Sequence, residues 1–197
     1  MEWLKPYNII LASQSPRRLE LMRQAGFQFE VRVADIDEEN YPADLEITAV
    51  PGYLASQKAQ KIFNQEPDQE RLVVIAADSL VFLGGRIFSK PLNRPEAEWM
   101  LRTLGGKTHL VITGLCVLSD SFSEIRSVET WVEFNPITDD EIHYYINHFP
   151  PYDKAGAYGI QDWIGLCAVK GIQGSYTNIM GLPMETLYSV LKEKIKP

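Results

Sequence analysis

The first half of the chain alternates apolar and polar segments in a strand and helix pattern. Single apolar runs predict buried strands, and spacings of three and four residues predict helices. Residues 27–33 alternate with period two, which is typical of a half-buried strand, and Gly26 is placed to end the helix before them. In chain order, the predicted elements are strand 9–12, helix 16–25, strand 27–33, helix 51–63 and strand 72–77. This order indicates an α/β fold.

The second half contains stronger signals of antiparallel pairing. Gly84 and Gly85 stand between two short apolar runs and predict a two-residue hairpin. The remaining predicted elements are helix 95–104, strands 108–118 and 124–134, helix 138–148 with a capping box of Thr138 and Glu141, and a last helix from about Pro183. We find no repeat, low-complexity run or linker. Residues 1–197 are therefore expected to form one domain, with any two lobes closely joined.

A turn near the N-terminus carries the first candidate chemistry. Ser15 is a suitable N-cap and Pro16 suits the first helical position, so the helix begins at a defined place after the strand. Arg17 and Arg18 follow at once. Free N–H groups of a first helical turn, together with two guanidinium groups, favour an anion, with phosphate the obvious candidate.

Composition narrows the possible partners. The chain has 197 residues, 45% of them hydrophobic, and a formal net charge of -7. An acidic surface disfavours a nucleic acid polymer or a membrane as partner, so a phosphate ligand needs local positive charge. No signal peptide or membrane span is expected. Cys116 and Cys167 lie in apolar runs that resemble strands, which predicts buried free thiols and fits a reducing cytoplasm.

Carboxylates in two segments form the second candidate feature. Asp78 follows the apolar strand at the sheet edge where α/β folds usually bind ligands, although a turn or cap aspartate would look the same. Asp35, Asp37, Glu38 and Glu39 form an acidic segment, for which a solvated surface is the simpler interpretation of Glu39 and one aspartate. Glu38 with Asp78 would supply the hard oxygen ligands that Mg²⁺ or Mn²⁺ needs beside phosphate.

Lysines next to turn-forming or apolar residues are the third feature. Lys58 lies on the apolar stripe of its helix, where it either snorkels to solvent or points into a phosphate-lined cleft. Lys90 is flanked by Ser89 and Pro91. The segment Asp153–Gln161 combines a lysine and small residues with groups suited to contact a base. Each of these two segments alone could also be an ordinary loop.

Taken in order, these motifs resemble those of the Maf family across nearly the whole chain. The matching segments are Ser13–Arg18, Ala77–Ser79, Lys90–Pro91, Gly106–His109 with Thr113–Gly114, Asp153–Gln161, and Gly174–Tyr176 with Gly181–Pro183. The resemblance implies a cytoplasmic nucleoside triphosphate pyrophosphatase, which cleaves a nucleotide between its α and β phosphates. It also implies a Maf or ITPase-like fold: a long, mixed, twisted sheet flanked by helices, with two lobes and the active cleft between them. A homodimer is implied as well.

Roles for individual residues follow from the resemblance. It implies that Asp78 is the proton acceptor and that Glu38 joins it in binding a divalent metal cation: Mg²⁺, Mn²⁺ or Co²⁺. The positions that determine substrate choice are Arg17, Ser79 and Gln161. The positions that line the phosphate side are Ser13, Arg18, Lys58 and Lys90. None of the three histidines is assigned to catalysis.

The Asp153–Gln161 segment resembles the branch of the family that acts on dTTP and UTP. Ser79 stands where that branch often has threonine, and Ala76 where glycine is common; a hydroxyl is kept at position 79. Three alternatives stay open at this point. The chain could be a nucleotide-sensing regulator of cell division, an enzyme of the 7-methyl-GTP branch, or a pyrophosphatase for modified pyrimidine nucleotides.

Overall fold

The computed structural model describes residues 1–38 and 40–195 and contains seven strands and seven α-helices within them. The strands are β1 Asn8–Ala12, β2 Glu30–Arg32, β3 Leu72–Leu83, β4 Arg86–Phe88, β5 Thr108–Ser119, β6 Ser123–Phe134 and β7 Val169–Gln173. The helices are α1 Pro16–Gln24, α2 Val50–Gln65, α3 Arg94–Leu104, α4 Asp139–His148, α5 Trp163–Cys167, α6 Tyr176–Ile179 and α7 Met184–Lys194. Short 3-10 turns cover Glu2–Leu4, Ile47–Ala49 and Ala155–Ala157.

The strands form one mixed sheet in the order β2-β1-β3-β5-β6-β7, with β4 paired to β3. β1 runs parallel to both β2 and β3, whereas β4 is antiparallel to β3 and β7 is antiparallel to β6. Parallel neighbours joined through helices are the mark of an α/β architecture. The predicted fold class, an α/β protein with a mixed sheet and flanking helices, is therefore confirmed.

The chain divides into two compact units, each with its own apolar core. The first unit comprises Met1–Asp78, Thr113–Val128 and the chain from Gly181 onward, and the second comprises Ser79–Ile112 and Glu129–Met180. The first core includes Ile10, Ala55, Ala59, Ile62, Leu72, Val74 and Cys116. The second core includes Phe88, Met100, Leu101, Val132, Phe134, Ile142 and Tyr145. The expected single domain with an active cleft stays a prediction.

Local sequence signals correctly predicted where several helices and turns begin or end. α1 begins at Pro16 and is closed by Gly26, which adopts φ 75° and donates its N–H to the Arg23 carbonyl, while Phe27 N–H bonds the Met22 carbonyl. Gly84 and Gly85 form the predicted two-residue turn, with φ values of 58° and 82°. The capping box predicted for the helix after residue 138 is present at the start of α4.

Three expectations about strands were wrong. β3 does not end before Asp78 but continues to Leu83, because its last three residues pair with β4. β2 covers only three residues of the expected 27–33 segment, since only these pair with β1. Cys116 is a buried thiol on β5 as expected, but Cys167 is exposed and ends the short helix α5. Burial raises the pKa of the Cys116 thiol to about 12.

No helix in the described part of the chain is both long and apolar enough to cross a bilayer.

Candidate functional site

Glu38, Lys58 and Asp78 form what we call the carboxylate–lysine cluster, in the first unit. Lys58 lies in the middle of α2 and is only 7% exposed. Its Nζ donates hydrogen bonds to Glu38 Oε1 at 2.6 Å and to Asp78 Oδ1 at 2.5 Å. Because the three residues come from a loop, a helix and a strand, their meeting is a product of the tertiary fold. The cluster holds two carboxylates around one ammonium group.

The burial of Lys58 decides between the two interpretations of its helix position. A snorkelling lysine would carry its ammonium to solvent, but the Lys58 side chain is 9% exposed and ends on two carboxylates. The snorkelling interpretation is therefore wrong. Asp35 and Asp37 are exposed, as a solvated acidic surface requires, and Glu39 lies outside the described residues. The turn or cap interpretation of Asp78 is also wrong, because Asp78 lies inside β3.

The turn between β1 and α1 holds its first serine and second arginine together. Ser13 is 7% exposed, and its Oγ accepts the Ser15 N–H at 3.2 Å and Arg18 Nη1 at 3.4 Å. Arg18 Nε donates to the Gly181 carbonyl at 2.7 Å. Ser15 occupies the predicted N-cap position, although its side chain makes no capping hydrogen bond. Ser13 orders the turn instead.

Electrostatic interactions connect this turn to the carboxylate–lysine cluster. Burial lowers the pKa of the Arg18 guanidinium, the negative charge of Asp78 opposes that shift, and repulsion from Arg17 adds to it. Glu38 acts in the same direction as Asp78. Arg18 is thus close enough to feel all three charges. The first unit therefore places Arg18 and Lys58 near two carboxylates, with Arg17 close to Arg18.

In the second unit, Gly159–Asp162 form a tight turn that we call the glutamine turn. The Asp162 N–H donates to the Gly159 carbonyl at 3.0 Å, and Gln161 lies between them. Among the described residues, the buried Oε1 of Gln161 has no hydrogen-bond partner. An unpaired buried acceptor costs free energy, about 1–3 kcal/mol, unless a ligand donates to it. Gln161 is therefore suited to accept a hydrogen bond from an N–H group of a ligand.

The other two residues expected at the site in the second unit are Ser79 and Lys90. Ser79 follows Asp78 on β3 and is half-buried. Lys90 is exposed in the loop after β4, and the carbonyl of its neighbour Ser89 accepts the Gly156 N–H at 3.2 Å. This bond joins the loop of Lys90 to the segment that carries Gln161. Two segments singled out in the sequence are thus neighbours in the fold.

His109 is the one histidine that the fold buries completely. It is 0% exposed, and its Nε2 lies 2.8 Å from the hydroxyl of Tyr158, a residue of the Asp153–Gln161 segment. Phe134 packs edge-on against both rings. Burial lowers the pKa of His109 to about 4, so the imidazole is neutral at physiological pH. Its geometry supports a packing role beneath the loop.

Few acidic side chains among the described residues are placed to bind a metal ion. Within residues 1–38 and 40–195, no group of three or more His, Cys, Asp or Glu side chains is arranged to hold a metal ion. The two carboxylates of the carboxylate–lysine cluster already surround a cationic group, which shows that their arrangement suits positive charge. Mg²⁺ is commonly bound by one or two carboxylates plus substrate phosphates and water. The donor set fits such an ion.

Sequence analysis missed two contributors to these arrangements. One is the Gly181 carbonyl that fixes Arg18; Gly181 was noticed only as part of a motif. The other is Tyr145, whose hydroxyl bonds Gly159 and Asp162 at the two ends of the glutamine turn. Tyr145 gave no sequence signal beyond an apolar position on a helix, because its partners lie 14 and 17 residues further along.

Comparison with known proteins gives matches over almost the whole chain. A family model described as "Maf-like protein" matches residues 8–194. A Phocaeicola vulgatus protein named dTTP/UTP pyrophosphatase is 46% identical over 194 residues, which are 98% of this chain and 99% of that protein. A Porphyromonas gingivalis protein of the same name is 44% identical over 190 residues, 96% of each chain.

Among solved structures, the crystal structure of a Vibrio cholerae protein is similar at 12% identity and a TM-score of 0.35. The similarity covers 72% of this chain and 75% of that one. So weak a likeness carries no argument about function.

Proposed function

The chain belongs to the Maf family, and from this premise we propose that it is a nucleoside triphosphate pyrophosphatase acting on dTTP and UTP. Near-full-length relatives with 44–46% identity carry the name dTTP/UTP pyrophosphatase, which supports the proposed activity. The observation that carries the proposal is the carboxylate–lysine cluster, where Lys58 holds Asp78 and Glu38 together at hydrogen-bond distance. The products would be a nucleoside monophosphate and pyrophosphate.

Asp78 is the proposed proton acceptor. It lies on a strand whose preceding six residues are fully buried, so its carboxylate has a fixed position while 15% of its side chain stays open to solvent. A carboxylate held in this way can orient a water molecule and take its proton as the oxygen attacks the α phosphorus. Lys58 fixes the direction of this carboxylate through the bond to Oδ1. Asp78 thus takes the proton, and Lys58 holds Asp78 in position.

Positive charge for the phosphates would come from Arg17, Arg18, Lys58 and Lys90. As the bond to the leaving pyrophosphate breaks, negative charge grows on the leaving oxygens, and fixed cations stabilise it. Arg18 is held by Ser13 and by the Gly181 carbonyl, so its guanidinium needs little reorganisation. Glu38 and Asp78 would hold a divalent metal cation, which would supply positive charge to neutralise the phosphates.

Gln161, with Arg17 and Ser79, is proposed to select the base. Uracil and thymine present an N3–H donor between two carbonyl acceptors, and the unpaired Oε1 of Gln161 is an acceptor for that N–H. Cytosine has no hydrogen on N3, so it offers Oε1 no donor at that position. A polar site left without its partner disfavours the wrong base strongly. Modified uracils that keep N3–H would also be accepted.

The direct test of the proposal is analysis of the products in water enriched in ¹⁸O. With UTP or dTTP and Mg²⁺, Mn²⁺ or Co²⁺, we expect monophosphate and pyrophosphate in equal amounts, with the label in the monophosphate. Formation of a diphosphate and inorganic phosphate would contradict cleavage at the α phosphorus. Tight nucleotide binding without any turnover would favour the alternative role as a nucleotide sensor. The homodimer implied by the resemblance is a separate prediction, which light scattering would test.

A further inference from the structure

The hydroxyl of Tyr145 makes two hydrogen bonds to the glutamine turn. Tyr145 lies on α4 and is 0% exposed. Its hydroxyl donates to Asp162 Oδ2 at 3.0 Å and accepts the Gly159 N–H at 3.0 Å. Phe149, the residue that follows α4, stacks on the Tyr145 ring at 5.8 Å between ring centroids. One rigid side chain therefore holds both ends of the four-residue turn.

The backbone packs closely around these bonds. A Cβ atom added to Gly159 would lie 2.3 Å from Asp162 Oδ2. A Cβ atom added to Gly165 would lie 2.0 Å from the Ile160 carbonyl oxygen, on the residue before Gln161. Both distances are below any normal contact, so two glycines allow the backbone to approach closely. Gln161 is thus held between two fixed neighbours.

The hydroxyl is a neutral hydrogen-bonding group in this position. Burial raises the pKa of Tyr145, and the negative charge of Asp162 raises it further, so the proton stays on oxygen. Lys154 Nζ lies 3.7 Å from the same Asp162 Oδ2 and balances the carboxylate. Each group that faces the hydroxyl therefore favours the same hydrogen-bond directions, with the hydroxyl donating to Asp162.

We propose that Tyr145 is a positioning residue for base selection, because its hydroxyl fixes the turn that carries Gln161. This inference rests on the proposed function and extends it to a residue that need not touch the nucleotide. The Oε1 of Gln161 selects between bases only if it is held at a defined place, since a mobile amide would adapt to cytosine by turning over. Tyr145 supplies that restraint through Gly159 and Asp162.

The test is the variant Tyr145→Phe, which removes the hydroxyl and keeps the ring and its stacking. We expect KM for UTP and dTTP to rise about tenfold, the effect of losing the hydrogen bond between Gln161 and the base. We expect kcat for UTP and dTTP to stay within about twofold, because the carboxylate–lysine cluster is untouched. We expect CTP turnover to rise relative to UTP turnover, because the freed Gln161 amide can turn over to suit cytosine. The matched control is Tyr144→Phe, at the neighbouring residue on α4, whose side chain is 44% exposed.

A second pair of variants covers the case in which Tyr145→Phe does not fold. Asp162→Ala removes the acceptor of the Tyr145 hydroxyl, whereas Asp162→Asn keeps an oxygen there. We expect Asp162→Ala to lose base discrimination and Asp162→Asn to keep most of it. Such rescue would not follow from a general loss of packing.

Two results would overturn the inference while leaving the proposed function standing. One is an unchanged ratio of UTP to CTP efficiency in both Tyr145→Phe and Asp162→Ala. The other is an equal loss of kcat for every nucleotide, which indicates a structural defect alone. If the unmodified enzyme releases no pyrophosphate from any nucleotide, the proposed function fails and this inference fails with it.

Discussion

The carboxylate–lysine cluster and the glutamine turn treat their polar groups in opposite ways. In the cluster, two carboxylates share the ammonium of Lys58, at 2.6 and 2.5 Å. In the turn, Tyr145 bonds both ends, but the buried Oε1 of Gln161 has no partner among the described residues. An unpaired buried charge costs several kcal/mol, whereas an unpaired neutral acceptor costs about 1–3 kcal/mol. Charges are therefore paired before a ligand arrives, and only a neutral group is left open to recognise one.

The strongest test of this contrast is Asp78→Asn in the cluster. The amide keeps the size of the side chain and its contact with Lys58 but is no base, so we expect kcat to fall at least about a hundredfold with the fold intact. Pyrophosphate release and circular dichroism together would measure this. Asp35→Asn, at an exposed residue, is the control. Near-normal turnover in Asp78→Asn would exclude Asp78 as the proton acceptor.

Lys58→Met tests the pairing itself. It removes the ammonium that bonds Asp78, whose side chain is 15% exposed, and we expect the free energy of unfolding to fall by about 2 kcal/mol. Glu38 contributes little to this loss, because it is 44% exposed and solvent screens its charge. Urea denaturation without metal is the measurement. Lys61→Met, on the same helix with its ammonium on the Asp35 carbonyl, is the control, and an equal loss there would contradict the argument.

Acid should lower the stability of the second unit through His109, which bonds Tyr158 in the segment that carries the glutamine turn. The pKa of His109 is about 4 in the folded protein and 6.5 in the unfolded chain. Between these pH values, His109 is protonated in the unfolded chain and neutral in the folded protein. Stability from the neutral imidazole is complete above about pH 6.5 and is lost as the pH falls toward 4. Relative to the wild type, His109→Gln should lose about 2 kcal/mol less stability between pH 7 and pH 5.

Urea titrations at the two pH values would measure that difference. His143→Gln is the matched control, because the His143 side chain is 45% exposed. The same pH dependence in His109→Gln and the wild type would show that burial of His109 does not hold its imidazole neutral.

The smallest expected effect comes from removing the unpaired Oε1 of Gln161. Gln161→Ala should raise KM for UTP and dTTP about tenfold while residual activity on purine nucleotides changes little, since one hydrogen bond to the base is lost. Steady-state kinetics with four triphosphates would measure it. Equal losses for all bases would remove Gln161 from base selection and end the contrast between the two regions.

Sequence predicted the fold best where the signal was local. Pro16 and Gly26 set the ends of α1, and the Gly84-Gly85 turn needs only two residues with positive φ. Sequence failed where pairing at a distance decides the outcome. Asp78 and Ser79 look like a strand end, but β3 continues because Arg86–Phe88 fold back and pair with it. The apolar run around Cys167 suggested a strand, although most of it forms α5.

The candidate site shows the same division. Lys58 could be singled out because its position on an apolar stripe is visible in one helix. Its two partners could not be derived from that helix, since they lie 20 residues away on either side. Tyr145 could not be found at all, because an apolar helix position explains it completely until the hydroxyl contacts are seen. Long-range hydrogen bonds leave no periodic trace in a sequence.

The grouping of Arg18 and Lys58 near two carboxylates, with Arg17 close to Arg18, also bears on how an anion reaches this protein. These five side chains sum to one positive charge inside a chain of net charge -7. At long range a polyphosphate meets repulsion, and only within about 8 Å, the screening length at physiological salt, does it meet attraction. Added salt weakens the repulsion first. Association with a triphosphate should therefore tolerate salt far better than binding to a basic surface does.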